Sequence, residues 1–327
     1  MSSETRHEGG NRSEPLTVGG QALIEGVMVR APEAWAVAAR RLDGVVVAER
    51  RPLPRLSTRT VAAKIPFLRG ILVLVESLNL GFRSLAWSAE VASQEPGEES
   101  GTIEGPAEKL GWKLWLWMGV AMGFFIAFFM VVPATVARWT AGESGLLFGF
   151  LEAVIRLGLF IGYIWGIGRM ADIKRVFSYH GAEHMTIHAY EQQETISVES
   201  IAKYPPEHPR CGTNFLLIVV ILSIVAFALV GNPGWLVLVA SRVLFIPLIA
   251  AVAYELLKFA GRRQSQTLGR LLALPGIWLQ KLTTNQPDGD QIEVAMTALL
   301  SAVEPAEADR LLGAGTIPPS VAEAVAK

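Results

Sequence analysis

Three of the five histidines in this chain fall within Tyr179-His-Gly-Ala-Glu-His-Met-Thr-Ile-His-Ala-Tyr-Glu191, and a fourth, His208, lies shortly before the single cysteine, Cys211. His180, His184 and His188 follow one another at i, i+4. In a helix, about 100° per residue puts them on one slowly drifting stripe, with Glu183 and Glu191 beside it. His180, Glu183 and His184 together read H-x-x-E-H. Two imidazoles one turn apart can hold a metal, and the carboxylate between them can activate its water. The chemistry expected is hydrolysis assisted by a divalent metal, zinc by ligand type.

Helix geometry limits which groups share one ion. His180 and His188 are separated by about 12 Å of rise, too far to chelate together easily. The pair is therefore His180/His184 or His184/His188. In the first case Glu183 serves as base, and the third ligand comes from His208, Cys211 or Glu255. In the second, Glu191 can join from the next turn. A rival chemistry makes Cys211 a nucleophile, since a cysteine before a helix start and beside Arg210 can have a lowered pKa. That alternative leaves the histidine stripe without a role. The ordinary alternatives are hydrogen-bonded packing histidines and a small buried cysteine at a tight turn.

The elements that would position this stretch look like a membrane frame. Half of the chain is hydrophobic (51%), and the net charge of −1 argues against a nucleic-acid partner. One cysteine excludes an internal disulfide framework. Apolar runs at 112–137, 146–168, 213–231 and 234–258 are each long enough for a hydrocarbon core of about 30 Å. Basic residues at Lys109 and Lys113, at Arg169, Lys174 and Arg175, and at Lys258, Arg262 and Arg263 place the histidine segment and the C-terminus in the cytoplasm, by the positive-inside rule. Charges inside the runs, Glu152, Arg156 and Arg242, read as an ion-pair cluster within the bundle.

Around these runs the chain divides into a disordered tail (1–16), an N-terminal hairpin unit (17–60), an amphipathic helix (61–92) and an acidic linker (93–108). A transmembrane hairpin (109–175), the His-rich segment (176–211), a second transmembrane hairpin (212–263) and a C-terminal segment (264–327) complete it. In the hairpin unit, Trp35-Ala-Val-Ala-Ala and Val45-Val-Val-Ala flank a Leu-Asp-Gly turn. Arg69, Glu76, Arg83 and Glu90 recur every seven residues on one face of the amphipathic helix, and Phe67, Ile71, Leu74, Leu78, Phe82 and Leu85 cover another. Such a helix suits the membrane interface better than a lone span. Residues 268–281 read as an amphipathic segment interrupted at Pro275-Gly276. Asp288, Asp290 and Glu293 read as a helix start.

Several motifs resemble one family: Gly19-Gly-Gln-Ala-Leu-Ile-Glu-Gly-Val-Met-Val-Arg30, Pro66-Phe-Leu-Arg-Gly70, Tyr179-His-Gly-Ala-Glu-His184, His208-Pro-Arg-Cys-Gly-Thr213, Tyr254-Glu-Leu-Leu-Lys258, and Thr283-Thr284 with Gln291-Ile-Glu-Val-Ala295. In this order, over residues 17–302, they are similar to the YqhQ-like bacterial membrane proteins of unknown function, described as predicted metal-dependent enzymes. The resemblance implies that Gln21, Glu25 and Arg30 belong with the histidine site, which makes Glu25 and Arg30 candidate catalytic residues beside Glu183. It supplies no substrate. Met185 stands where that family usually has lysine, and Asn214 where it usually has serine.

The expectation is thus a mainly α, polytopic protein of the bacterial inner membrane, with about four transmembrane helices, an interfacial helix and a small N-terminal β-hairpin unit. Its leading function is a metal-dependent enzyme, hydrolytic in type. The alternatives are a membrane scaffold or assembly factor with a structural metal, and then a transporter, which the lack of polar residues at the span centres disfavours. The partner expected is the lipid bilayer. Assembly as a homo-oligomer is compatible with the sequence.

Overall fold

The structure is a computed structural model that describes residues 18–53, 65, 67–95, 112–141, 145–230, 234–262 and 267–313. The expected disordered tail, most of the acidic linker, Pro66, Arg263 and the side chain of Arg242 lie outside the described residues.

Strands β1 (Gly19–Leu23), β2 (Gly26–Arg30), β3 (Ala34–Arg40) and β4 (Val46–Pro52) form one antiparallel sheet in sequential order. The β3–β4 hairpin is the one expected from its Asp-Gly turn, where Asp43 accepts a bond from the Val45 N–H and Gly44 takes a positive φ of 86°. Residues 19–30 add an unexpected second hairpin. Its turn, Ile24-Glu25, contains neither Gly nor Asn, and Glu25 itself has φ 51°. Turn chemistry therefore gave no signal there.

Both faces of the sheet are covered, so alternation along the strands separates two cores rather than core from solvent. Val27, Val29, Ala36 and Ala38 face helices α4 (Ala171–Glu191) and α9 (Gly289–Ala302). Met28, Trp35, Val37 and Ala39 face Leu80, Trp87 and Val91 of α1 (Leu68–Ser93). The centre of this head is α9, in which every residue from Gln291 to Ala302 except Glu293 is buried. Its start is the expected one: Asp288 accepts from the Gln291 N–H, and the Gln291 side chain accepts from the Asp288 N–H. The short α10 (Pro305–Leu312) closes the edge.

The helical bundle comprises α2 (Trp112–Ala141), α3 (Gly145–Ile167), α6 (Thr213–Val230) and α7 (Trp235–Arg262). Helices α2 and α3 pair, α6 and α7 pair, and α3 meets α6. Among the described residues, four helices are long and apolar enough to cross a membrane: α1, α2 from Gly119, α3 from Leu147, and α6. The protein is therefore a helical membrane protein with a small β head. Inside the bundle, Arg156 reaches Glu152 one turn away and Ser223 of α6, and lies over the Phe227 ring at 4.8 Å.

Helix α1 departs from its sequence reading in one respect: Glu76, expected on the charged face, is buried. The face that packs on protein is Glu76, Leu80, Ser84, Trp87 and Val91, whereas Phe67, Ile71, Leu78 and Leu85 of the expected apolar stripe stay exposed. A second departure is α8 (Thr267–Thr283), which continues through Pro275 without interruption. A Cβ on Gly276 would come within 2.5 Å of the Asn214 side chain, so α8 needs glycine there to pack against α6.

Candidate metal centre

Helix α4 carries the site because its middle is buried from Tyr179 to Tyr190 between the sheet and α9, save for a partly exposed His180 and His188. Two glycines let other backbone close on it. A Cβ at Gly20 would meet Met28 O at 2.5 Å and the Glu183 carboxylate at 2.8 Å. A Cβ at Gly181 would lie 2.2 Å from Asn285 O. The first admits β1 against Glu183, and the second admits the chain leaving α8.

The ring orientations follow from backbone acceptors. His180 donates from Nδ1 to Thr283 O (2.9 Å), and His184 donates from Nδ1 to Pro206 O (2.7 Å). Each imidazole thus keeps its Nε2 lone pair, which is how a ligating histidine is usually held. The two rings are 4.3 Å apart. Cys211 Sγ lies 3.3 Å from His180 Nε2, and the ligand atoms of His180, His184 and Cys211 all lie within 4.8 Å of one another. The sulfur also receives the Thr213 N–H (3.3 Å) and contacts the Thr213 hydroxyl at 3.1 Å. Glu183 Oε2 is 3.5 Å from His184 Nε2, and its carboxylate accepts from the Gly20 N–H.

The other candidates make other contacts, although His208 lines the same cavity with its ring 5.7 Å from that of His184. His208 accepts the Arg210 N–H at Nδ1 (3.2 Å), so its proton is on Nε2, which points at Glu191 (3.4 Å). His188 donates from Nε2 to Glu207 O and stacks on Tyr204. Glu191 pairs with Arg210. Glu255 is held by the Arg69 guanidinium, which ties α7 to the start of α1. Glu25 pairs with Arg175 and accepts from the Tyr179 hydroxyl (3.2 Å), while Arg30 meets the buried Glu76 at 3.5 Å. Among the described residues, then, the structure brings His180, His184, Cys211 and Glu183 together, and it puts His188, His208, Glu255, Glu25 and Arg30 into other contacts.

Sequence reasoning missed the groups that orient the ligands. These are the carbonyls of Pro206 and Thr283, the Gly20 N–H, and Gln280, whose side chain accepts from the His208 N–H (2.7 Å) and donates to the His208 carbonyl (2.9 Å). Carbonyls have no sequence signature. Gln280 alone could have been found, as a polar residue on a helix that is otherwise apolar near it.

Burial sets the protonation of the cluster. It holds His184 down to about 2, with His180 adding to the effect, and brings His208 to about 4. His180 is lowered for the same reason. Burial pushes the Cys211 thiol up to about 11 and Glu183 up to about 8, against the Gly20 hydrogen bond. The cluster is thus neutral imidazoles, a thiol and a carboxylic acid, an assembly of Lewis bases with no cation among them. A divalent ion would supply the missing charge and let the sulfur and the carboxylate ionise. The donor set fits zinc: two nitrogens and a sulfur, each with its other atoms already oriented. A cavity of about 370 Å³ lined by His180, Glu183, His184 and Cys211 leaves room for a small group beside them.

Residues 65–305 match a family described as "Protein of unknown function (DUF1385)". The chain is 35% identical over 289 residues to "Uncharacterized protein YqhQ" of Bacillus subtilis (strain 168), covering 86% of this chain and 91% of that one. No solved structure matches.

Proposed function

Because the chain belongs to the DUF1385 family, whose description carries no activity, we propose from its side chains that it is a metal-dependent membrane enzyme of hydrolytic type. The observation that carries this reading is the convergence of one ring nitrogen each from His180 and His184 with Cys211 Sγ, all within 4.8 Å, with Glu183 alongside. Three protein ligands leave a fourth position, the pattern of catalytic rather than structural zinc. When bound, zinc supplies Lewis acidity and draws the pKa of a water toward neutrality. Glu183, fixed by the Gly20 N–H, would be the base that takes a proton from the attacking water. The water oxygen would bond to the electrophilic centre, the bond from that centre to the leaving oxygen would break, and Glu183 would pass its proton to the leaving oxygen. Arg210 lies on the cavity wall beside this position, where it can bind an anionic part of the substrate. Since the charge pattern puts basic residues at the ends of α3 and α7 nearest α4, the site faces the cytoplasm of a bacterial cell in this reading. The exposed Ile71, Leu78 and Leu85 of α1 then rest against lipid while its other face covers the sheet.

One observation favours a second reading. Glu183 Oε2, only 3.5 Å from His184 Nε2, is close enough to serve as a fourth ligand. Coordination closed in that way would make the metal structural and the protein a scaffold. Elemental analysis of detergent-purified protein tests the shared premise: wild type is expected to carry about one zinc per chain, and His184→Ala none. Equal metal content in the two removes both readings. Glu183→Gln separates them, since it retains zinc if Glu183 is the base and loses zinc if Glu183 is a ligand.

A further inference from the structure

The sheet has two edges, and they are finished differently. β4 carries Glu49, Arg50 and Arg51 and ends on Pro52, the charges and proline that keep an edge strand from pairing with other chains. β1, at the other edge, reads Gly-Gly-Gln-Ala-Leu, with no charge and no proline. It also borders the candidate site. Val18 to Ala22 line the cavity of about 370 Å³ together with His180, Glu183 and His184, and Val18 to Gln21 line a second cavity of about 780 Å³ as well. Arg30, Arg210 and Lys258 on the walls of that second cavity have partners in Glu76, Glu191 and the Tyr254 ring. What the walls offer besides is apolar surface from Leu53, Leu80 and Leu257, and the backbone of β1.

The register of β1 on β2 settles which of its backbone groups face outward. The two-residue turn makes Leu23 and Gly26 a hydrogen-bonded pair, so Ala22/Val27 and Gly20/Val29 are non-hydrogen-bonded pairs. The N–H and C=O groups of Gly20 and Ala22 therefore point away from β2. The Gly20 N–H takes that direction to reach the Glu183 carboxylate. Gly20 C=O and both polar groups of Ala22 remain on the outer edge, at the spacing that a further antiparallel strand pairs with. A row of this kind is matched by another backbone. We propose that the outer edge of β1 binds an extended polypeptide segment as an added strand and lays one of its carbonyls at the His180/His184/Cys211 cluster. A residue opposite Ala22 exchanges two hydrogen bonds with it, and the residue two further along donates its N–H to Gly20 C=O. In an unbroken ladder the carbonyl of that second residue would accept the Gly20 N–H. Glu183 holds this donor instead, so that carbonyl is the one left beside the base and the cluster. The residue between the two points to the other face of the sheet, where Leu53 and Leu80 select an apolar side chain. As a binding site this stands on the strand edge alone; polypeptide as the substrate rests on the metal-enzyme reading. In that case the water oxygen bonds to the peptide carbonyl carbon, the C–N bond breaks, and the proton on Glu183 goes to the amide nitrogen rather than to an oxygen.

The test is fluorescence anisotropy of the detergent-purified full chain with a labelled, end-capped peptide, Ala-Ala-Leu-Ala-Ala, whose single leucine fixes the register. Three derivatives carry a methyl group on one backbone nitrogen, that of the leucine or of the alanine on either side. The parent is expected to bind. Methylation of either flanking alanine should weaken it about fivefold, the loss of one hydrogen bond, and methylation of the leucine should leave it unchanged. Ala22→Pro removes an N–H that β2 does not use, a change an edge strand tolerates. It is expected to weaken the parent peptide about fivefold with thermal unfolding unchanged. No binding of the parent, the same effect at all three nitrogens, or a folded Ala22→Pro that binds like wild type overturns the proposal. Should Ala22→Pro fail to fold, the methylation pattern on wild type decides. If that pattern is found in a protein without zinc, the strand site survives and the enzyme reading fails. If zinc is found without the pattern, the strand site fails alone.

Discussion

Two buried polar clusters in this protein are built in opposite ways. In the bundle, the Arg156 guanidinium meets the Glu152 carboxylate, the Ser223 hydroxyl and the face of Phe227, so a positive group is surrounded by what a positive group needs. In the head, two imidazole lone pairs, a sulfur and a carboxyl converge, and the group they would jointly satisfy is a cation. Glu152 and Arg156 in one, and Glu183, His184 and Cys211 in the other, are all buried, so burial does not tell the two clusters apart. Charge balance does. A cluster that neutralises itself is complete within the fold, whereas one made of donors alone is complete only with a ligand.

The largest effect expected on stability comes from unbalancing the complete cluster. Arg156→Met leaves Glu152 without its charge partner in an apolar bundle, at a cost of about 3–5 kcal/mol, whereas Glu152→Gln with Arg156→Met together should recover most of that. Denaturant unfolding in detergent measures both, and zinc content should stay at the wild-type value in each. If the single variant is as stable as the double, the Glu152–Arg156 pair is not the self-contained unit described here. Loss of zinc from either variant would show that the two clusters are coupled, and the contrast between them would collapse.

The two clusters were unequally legible in the sequence. Glu152 and Arg156 sit one turn apart within an apolar run, so their pairing follows from helix geometry alone. The pair His180/His184 also follows from spacing, but Cys211 is joined to it by the path of the 192–212 segment, which periodicity does not describe. Spacing gave His208, Cys211 and Glu255 equal standing. What separates them is an Nδ1 that accepts the Arg210 N–H in one case and an arginine from α1 in another. The β3–β4 hairpin was readable from its Asp-Gly turn, and the β1–β2 hairpin was not, because Glu25 takes its positive φ without a turn residue. The apolar stripe of α1 was found, but the opposite face, Glu76, Leu80, Ser84, Trp87 and Val91, which packs on the sheet and bundle, was not. Hydrophobicity marks a face as apolar but does not say whether protein or lipid covers it. For α9 the sequence showed a capped helix, but it did not show that helix as the centre of the head.

A smaller effect, in pH, sharpens the claim that the head cluster lacks a cation. In metal-free protein, His184 and His208 are depressed to about 2 and 4 from 6.5, so between these values and 6.5 the unfolded chain binds the extra protons. Glu183, raised from 4.5 to about 8, has the reverse sign: the folded chain holds the extra proton between those values. Two histidines outweigh one carboxyl below pH 6.5, so stability should fall there by roughly 1 kcal/mol per unit as acid is added. Above neutrality only Glu183 contributes, and stability should fall gently as pH rises toward 8. Zinc should remove the upper limb, because a bound cation favours the ionised carboxylate and thiolate. Thermal unfolding of chelated and zinc-loaded protein from pH 5 to 8.5 measures this. An upper limb that persists with zinc would mean that the ion does not reach Glu183.

The smallest effect concerns Glu25, which the family resemblance groups with the histidine site and the structure puts in contact with Arg175 and Tyr179 instead. Its carboxylate anchors the β1–β2 turn to α4, and the neighbouring strand carries Gly20 to Glu183. That makes Glu25 a positioning residue with one weak tie, since Arg175 is half exposed and such pairs contribute about 0.2–1 kcal/mol. Glu25→Gln keeps an acceptor for the Tyr179 hydroxyl and loses only the charge. The expected result is a stability change below about 1 kcal/mol with zinc content unchanged. Glu25→Pro, by contrast, forbids φ 51° and should pull β1 away from Glu183, with a larger loss of stability and the same zinc-ligand residues intact. If Glu25→Gln alone emptied the site of zinc, Glu25 would belong to the cation's surroundings. The division between groups that touch the ion and groups that hold the head together would then have to be redrawn through β1.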